Sequence, residues 1–294
     1  MRNKVTVKKR IDVVDVIVFL FLTIFAVLIV YPFYTAFATS LMSRQEMINT
    51  RIITVPKQLC WDNYAYMLST PVIWTGYQST LIITAIGLVY GMSISVTMAY
   101  SFSRPAFPGK KLLFMMMLFT MFFGGGLVPM YMQLKNLNLL NSRWAVILMM
   151  GVSPFNIIII KSNFEAIPES LVEAAKVDGA NELTIFFKIM LPLQTAVLAT
   201  FALFISVSYW NEWFWSSLAI NETRKMPLQV ILKNIISSVS SNREAAARIE
   251  TMNTVYDDGV KMAAVVVTML PIMIVYPFLQ KYFVKGVLVG AIKM

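Results

Sequence analysis

Residues 168–192 read PESLVEAAKVDGANELTIFFKIMLP, a polar island in an otherwise apolar chain. Local signals predict a helix–turn–helix here. Pro168 suits a first helical position, and Glu169 places negative charge where a helix amino terminus favours it. Glu173, Ala174 and Ala175 continue a run of good helix formers. Gly179 permits the left-handed conformation that ends a helix. Asn181 is placed to cap a second short helix, ending before Pro192. On that helix Ile185, Phe186, Ile189 and Met190 form an apolar face.

The rest of the chain sets the solvent. Of its 294 residues, 58% are hydrophobic and 14% charged. A soluble domain carries about 25% charged residues, so the surplus apolar surface points to lipid. There is no histidine and one cysteine, Cys60. This argues against His-based acid–base catalysis, His/Cys metal sites and an internal disulfide. No catalytic residue, metal ligand or bound cofactor is assigned. The net charge of +10 is read as anchoring at a membrane surface rather than nucleic-acid binding. Many of the cations flank apolar spans.

A spanning helix needs about 20 apolar residues. Six stretches are candidates: Val16–Ala36, Ser79–Tyr100, Leu112–Met132, Trp144–Ile160, Leu193–Leu218 and Met262–Leu279. The expected fold is all-α: a polytopic membrane protein with six transmembrane helices. Positive charge orients them. Arg2, Lys4, Lys8, Lys9 and Arg10 precede the first span, Arg104, Lys110 and Lys111 lie between the second and third, and Lys281, Lys285 and Lys293 close the chain. Both termini and the island at 168–192 then face the cytoplasm. The first span has a basic start and an Ala36-Phe37-Ala38 pattern like a signal peptide. Its apolar run is longer than a signal peptide needs, so an uncleaved anchor is expected. Trp61, Tyr64, Tyr66 and Trp74 point to an outer segment 39–76 that lies at the membrane interface or packs on the outer ends of the helices.

The island also carries a spaced pattern: Glu173-Ala174-Ala175, three residues, Gly179, nine residues, then Ile189, one residue, and Leu191-Pro192. This resembles the coupling motif of permease subunits of type I ABC importers. Phe123-Gly124-Gly125-Gly126-Leu127-Val128-Pro129, the run Asn136 to Asn141, Tyr209-Trp210-Asn211-Glu212-Trp213, Pro227-Leu228-Gln229 and Lys285 to Lys293 resemble carbohydrate permeases of the maltose-transporter kind. Within that family they resemble the subset importing oligosaccharides released from complex polysaccharides. The resemblance implies one permease domain over residues 1–294, with the importer core at about 74–281 and coupling helices at 165–191.

It also implies partners: a second homologous permease, two ATP-binding subunits, an extracytoplasmic solute-binding protein and an oligosaccharide substrate, in a bacterial cytoplasmic membrane. Glu173, Ala174, Ala175, Asp178, Gly179, Ile189, Leu191 and Pro192 are the implied ATPase-coupling residues. ATP and Mg²⁺ belong to the partner subunits, since Pro108-Gly109-Lys110-Lys111 lacks the upstream glycine and the hydroxyl of a phosphate loop. In this family the carboxyl-terminal tail also reaches the ATPase; here it ends in Met294 where glycine is more familiar.

Sugars need aromatic faces and hydrogen-bonding side chains. Tyr209, Trp210, Asn211, Glu212 and Trp213 combine both at the end of the fifth span, and Asn156 in the fourth adds an amide. The competing reading makes the aromatics an interfacial belt and places Glu212 at headgroup depth. Asn156 and Gln133 also read as helix–helix hydrogen-bonding residues. Gly87-Leu88-Val89-Tyr90-Gly91 reads as a close-packing motif, and Gly124 to Gly126 as a bend or packing site. The methionines are scattered, as filler rather than copper ligands. Arg224, Lys225, Lys233, Arg243 and Arg248 lie near an outer loop that meets the binding protein in related permeases, and they also favour an acidic cargo, such as alginate, pectin or glycosaminoglycan fragments. Glu244, Glu250, Asp257 and Asp258 nearby equally suit a solvated charged loop. Two other functions compete: an ABC permease for a non-sugar solute, and an ion-coupled secondary transporter.

Overall fold

The computed structural model describes residues 13–49, 55–104, 107–241 and 256–291. The expectations placed on Arg2, Lys4, Lys8, Lys9, Arg10, Arg243, Glu244, Arg248, Glu250, Lys293 and Met294 lie outside the described residues, as do those on the Lys281 and Lys285 side chains. Among the described residues every regular element is a helix. They fall into two compact units, one built on residues up to Met67 with Val239–Val266, the other on Leu68–Ser238 and from Val267 onward.

In the first unit, α1 (Val13–Ser40) is a 28-residue helix, about 42 Å long and sufficient for a hydrocarbon core of about 30 Å. Its apolar side chains from Val13 to Tyr34 are exposed, and only Ala38, Thr39 and Ser40 are buried. After α2 (Arg44–Asn49) and the start of α3 (Asp62–Ser69), hydrogen bonds close the turn. The Ser40 and Tyr64 hydroxyls lie 2.6 Å apart, and Asn63 Nδ2 donates to the Ser40 carbonyl at 3.1 Å.

The second unit is organised on α4 (Pro71–Ser103), 33 residues and about 50 Å long. It packs against α7 (Arg143–Met150), α8 (Pro154–Glu165) and α11 (Thr195–Trp210). Small residues make this possible. A Cβ on Gly87 would sit 2.5 Å from the Tyr209 ring, and one on Gly151 would sit 2.1 Å from the Tyr90 ring. Gly91 faces the Gly151 carbonyl and Ile205. The Gly87–Gly91 pair thus serves close helix approach, as small-residue interfaces in membranes do.

Three described helices are each long and apolar enough to span a membrane: α1, α4 and α14 (Asp257–Ala291). Three bent pairs raise the number to six if each counts as one span. The bends break three of the expected spans, the one at Gly124 to Gly126 being one of the two readings open there. α5 (Lys110–Phe122) is 13 residues, about 20 Å, and too short alone. Residues 123–126 leave the helix, and Gly126 adopts φ 86°, ψ 167°, a conformation essentially confined to glycine. α6 (Leu127–Asn136) then departs at 117°, so it does not continue the expected Leu112–Met132 span.

α7 and α8 meet at 47° because Pro154 lacks an N–H and holds Ser153 extended. α10 (Glu182–Leu193) and α11 meet at 81°. α11 stops at Trp210 rather than Leu218, since Glu212 starts a separate helix, α12 (Phe214–Ala219). α13 (Leu228–Ser241) follows a short 3-10 turn.

Gly87→Ala should cost about 1–3 kcal/mol through overpacking against Tyr209. Thermal unfolding of the detergent-purified protein measures it; an unchanged midpoint would contradict the close approach of α4 and α11.

Candidate functional site

The polar island forms the predicted hairpin, α9 (Glu169–Val177) followed by α10. Pro168 occupies the cap position just before α9 rather than its first helical position. Gly179 has φ 80°, and no atom lies within 4 Å of where a Cβ would stand, so glycine answers the backbone here, not crowding. Asn181 Oδ1 accepts from the Thr184 N–H at 2.8 Å and caps α10. α10 runs through Pro192 instead of ending before it. Residues Phe186–Met190 widen into a π-turn, and the Leu191 N–H reaches the Phe186 carbonyl. That register shift relieves the clash a proline imposes on the preceding turn.

The motif residues divide between two surfaces. Ala175 is buried, and Ile189 and Leu191 pack against the same core as Phe164, Ile185 and Phe186. Glu173, Ala174, Asp178, Gly179 and Pro192 face outward. Beside them Val177, Leu183 and Phe187 are 87%, 68% and 62% exposed, an apolar rim on a polar loop.

Glu182 ties this hairpin to α4. Its carboxylate accepts from the Tyr100 hydroxyl at 2.7 Å and pairs with Lys176 Nζ at 3.1 Å and Arg104 Nε at 3.4 Å. The Tyr100 hydrogen bond lowers the carboxyl to about 2; burial opposes it, and Lys176 and Arg104 add to it. Because the folded value lies below the ordinary 4.5, the link is complete above about pH 4.5 and is lost as pH falls through about 2. Sequence reasoning missed Glu182, Tyr100 and Arg104. Their one signal was an acidic residue just after a capping asparagine, opposite cations noted only for orientation.

From the middle of α4 away from the hairpin, the expected pathway cluster is split. Tyr209 is buried, donating to the Ile147 carbonyl at 2.8 Å. Trp210 is buried beside an apolar cavity of about 300 Å³ with Leu81, Leu203 and Pro271. Glu212 is 7% exposed and accepts from the Trp215 N–H at 2.6 Å, the Ser216 N–H at 3.1 Å and Ser216 Oγ at 2.5 Å. Its carboxylate is therefore engaged at the start of α12. Asn211 and Trp213 remain exposed, and Lys233 Nζ sits 4.4 Å from the Trp213 ring centre. Asn156 lies apart, half-buried in the first turn of α8.

The sequence profile for "binding-protein-dependent transport system inner membrane component" matches residues 6–289. The chain belongs to this family of membrane transport components. The permease is 38% identical over 279 residues to the polygalacturonan/rhamnogalacturonan transport system permease protein YtcP of Bacillus subtilis, covering 95% of this chain and 98% of that one. It is 39% identical over 282 residues to protein LplC of the same organism, covering 96% and 95%. A crystal structure of a bacterial ABC transporter involved in import of the acidic polysaccharide alginate contains a chain of the same fold. The TM-score is 0.87 at 33% identity, covering 92% of this permease and 96% of that chain.

Glu182→Ala should loosen the hairpin against α4 while leaving the helices folded. Amide hydrogen exchange across residues 169–185 is expected to accelerate several-fold. Unchanged exchange there would show that the carboxylate does not hold the hairpin.

Proposed function

We propose that this permease is one half of the membrane channel of an ATP-driven importer of oligosaccharides, uronate-containing ones included. The observation that carries the reading is the α9–α10 hairpin: a glycine turn with an exposed acidic and apolar face, bound through Glu182 to the longest helix of its unit. The hairpin docks on one of two ATP-binding subunits through Glu173, Ala174, Asp178 and Gly179. Ala175, Ile189 and Leu191 hold it to the permease core. Closure of the ATPases with ATP and Mg²⁺ moves the hairpin, and α4 moves with it. A second, homologous permease completes the channel, and a solute-binding protein delivers cargo from outside.

The motif end faces the cytoplasm, with both termini on that side. Arg104, Lys110, Lys111, Lys161 and Lys176 gather there, in accord with the excess of positive charge on cytoplasmic loops. YtcP is named for polygalacturonan and rhamnogalacturonan transport and the matched crystal structure for alginate import, which supports an acidic cargo. The ion-coupled alternative loses its intramembrane carboxylate, because Glu212 is committed to the start of α12.

The test is ATPase activity in proteoliposomes holding this permease, its sibling, the ATPases and the binding protein. Binding protein loaded with an oligosaccharide should stimulate hydrolysis. Gly179→Leu and Glu173→Lys should abolish most of that stimulation and of uptake in complexes that still assemble. Equal stimulation in the variants would remove the hairpin's coupling role. Absence of stimulation by any sugar would remove the carbohydrate assignment.

A further inference from the structure

Resting on the importer reading, a second polar site lies at the end of α4 opposite the hairpin. Ser79 stands about 31 Å from Tyr100 along that helix, close to the thickness of a hydrocarbon core. Around Ser79 gather the amino terminus of α7 and the 3-10 turn Thr223–Lys225. Arg143 Nε donates to Ser79 Oγ at 2.9 Å, and Arg143 Nη2 donates to the Arg224 carbonyl at 3.1 Å. Ser79 Oγ in turn donates to the Lys225 carbonyl at 2.5 Å.

These bonds use neutral oxygens and only part of a guanidinium that carries five N–H donors. Among the described residues Arg143 has no carboxylate partner. Glu222, the nearby acid, is taken by Lys225 Nζ at 2.7 Å, and its Oε2 also accepts from Asn141 Nδ2 at 3.4 Å. Two arginines and a lysine against one glutamate leave the group positive. It borders a cleft of about 280 Å³ lined by Ile82, Asn141, Ser142, Arg143, Trp144 and Lys225. The cleft therefore offers a guanidinium held in place from behind and a half-exposed indole, while the Lys225 ammonium and the Asn141 amide at its edge are engaged by Glu222. These meet two needs of a uronate sugar: a fork for its carboxylate and an aromatic face for its ring.

We propose that this cleft is a specificity subsite for the carboxylate of an acidic oligosaccharide at the outer mouth of the permease, with Arg143 as the group that reads the charge. Its size suits part of a chain rather than a whole one, near the lower limit of about 300 Å³ for small-molecule pockets. The sugar-facing role expected of Glu212 and Tyr209 passes to Arg143, whose guanidinium has N–H donors beyond those given to Ser79 and Arg224.

The experiment compares wild type, Arg143→Gln and Arg143→Lys in the reconstituted importer. The cargoes are trigalacturonate and its methyl ester, which keeps the sugar shape and removes the charge. Arg143→Gln should lower trigalacturonate uptake about tenfold at subsaturating cargo and change ester uptake less than about twofold, with Arg143→Lys in between. Equal losses on both cargoes would make Arg143 a structural staple only, and no loss would make the cleft irrelevant; either overturns the proposal. Direct binding of labelled trigalacturonate to the complex without binding protein must also weaken in Arg143→Gln, a readout independent of ester uptake. If Arg143→Gln instead weakens docking of unloaded binding protein, the cleft reads a protein carboxylate and the proposal falls. Wild-type uptake of neutral oligosaccharides alone would overturn this inference while leaving the importer reading intact. Failure to import any oligosaccharide would remove both.

Discussion

One carboxylate fixes how the surface hairpin is set against α4. Glu182 receives the Tyr100 hydroxyl from α4 and the cations of Arg104 and Lys176. It is about half exposed, and exposed ion pairs contribute roughly 0–1 kcal/mol each. The link is therefore directional more than energetic. Cohesion comes from beneath it, where Phe164, Val172, Ile185, Phe186 and Met190 bury their side chains. Burial of an aliphatic or aromatic side chain contributes about 1.5–3 kcal/mol, so the core holds the hairpin and the carboxylate sets its angle.

The glycines serve opposite purposes at the two levels. Gly87 and Gly151 remove side chains so that Tyr209 and Tyr90 can press against neighbouring helices. Such packing transmits displacement, because a dense interface has few small compliant voids. Gly179 and Gly126 supply backbone conformations instead, with positive φ and no crowding at the Cβ position. One turns the hairpin; the other lets α6 leave the bundle at 117°. The proline at 154 and the π-turn before Pro192 add further breaks. The permease thus combines a rigid spine, α4, with helices articulated around it.

Much of this was legible in the sequence. The apolar runs located the spans, and Gly179 and Asn181 set the hairpin because a left-handed turn and a cap are local requirements. The bends were less legible. Hydropathy reports depth and not direction, so Gly124 to Gly126 read equally as a packing site or a bend. Residue type also misled at Tyr209 and Glu212. An aromatic and an acid suit a sugar, but whether they face a cavity depends on tertiary packing. Tyr209 lies over Gly87, and Glu212 bonds the amides of α12. Arg143 escaped notice for the converse reason: its surroundings come from Ser79 and Arg224, distant in sequence.

The most direct measurement is a spin-label distance between Ser101 on α4 and Ser170 on α9, in the full transporter with Cys60 replaced by serine. Both positions are exposed, and neither joins the Glu182 group. The distance should stay constant between nucleotide-free and ATP-trapped states while distances to the sibling permease change, because hairpin and helix move as one body. A change of several ångströms between Ser101 and Ser170 would contradict transmission through Glu182.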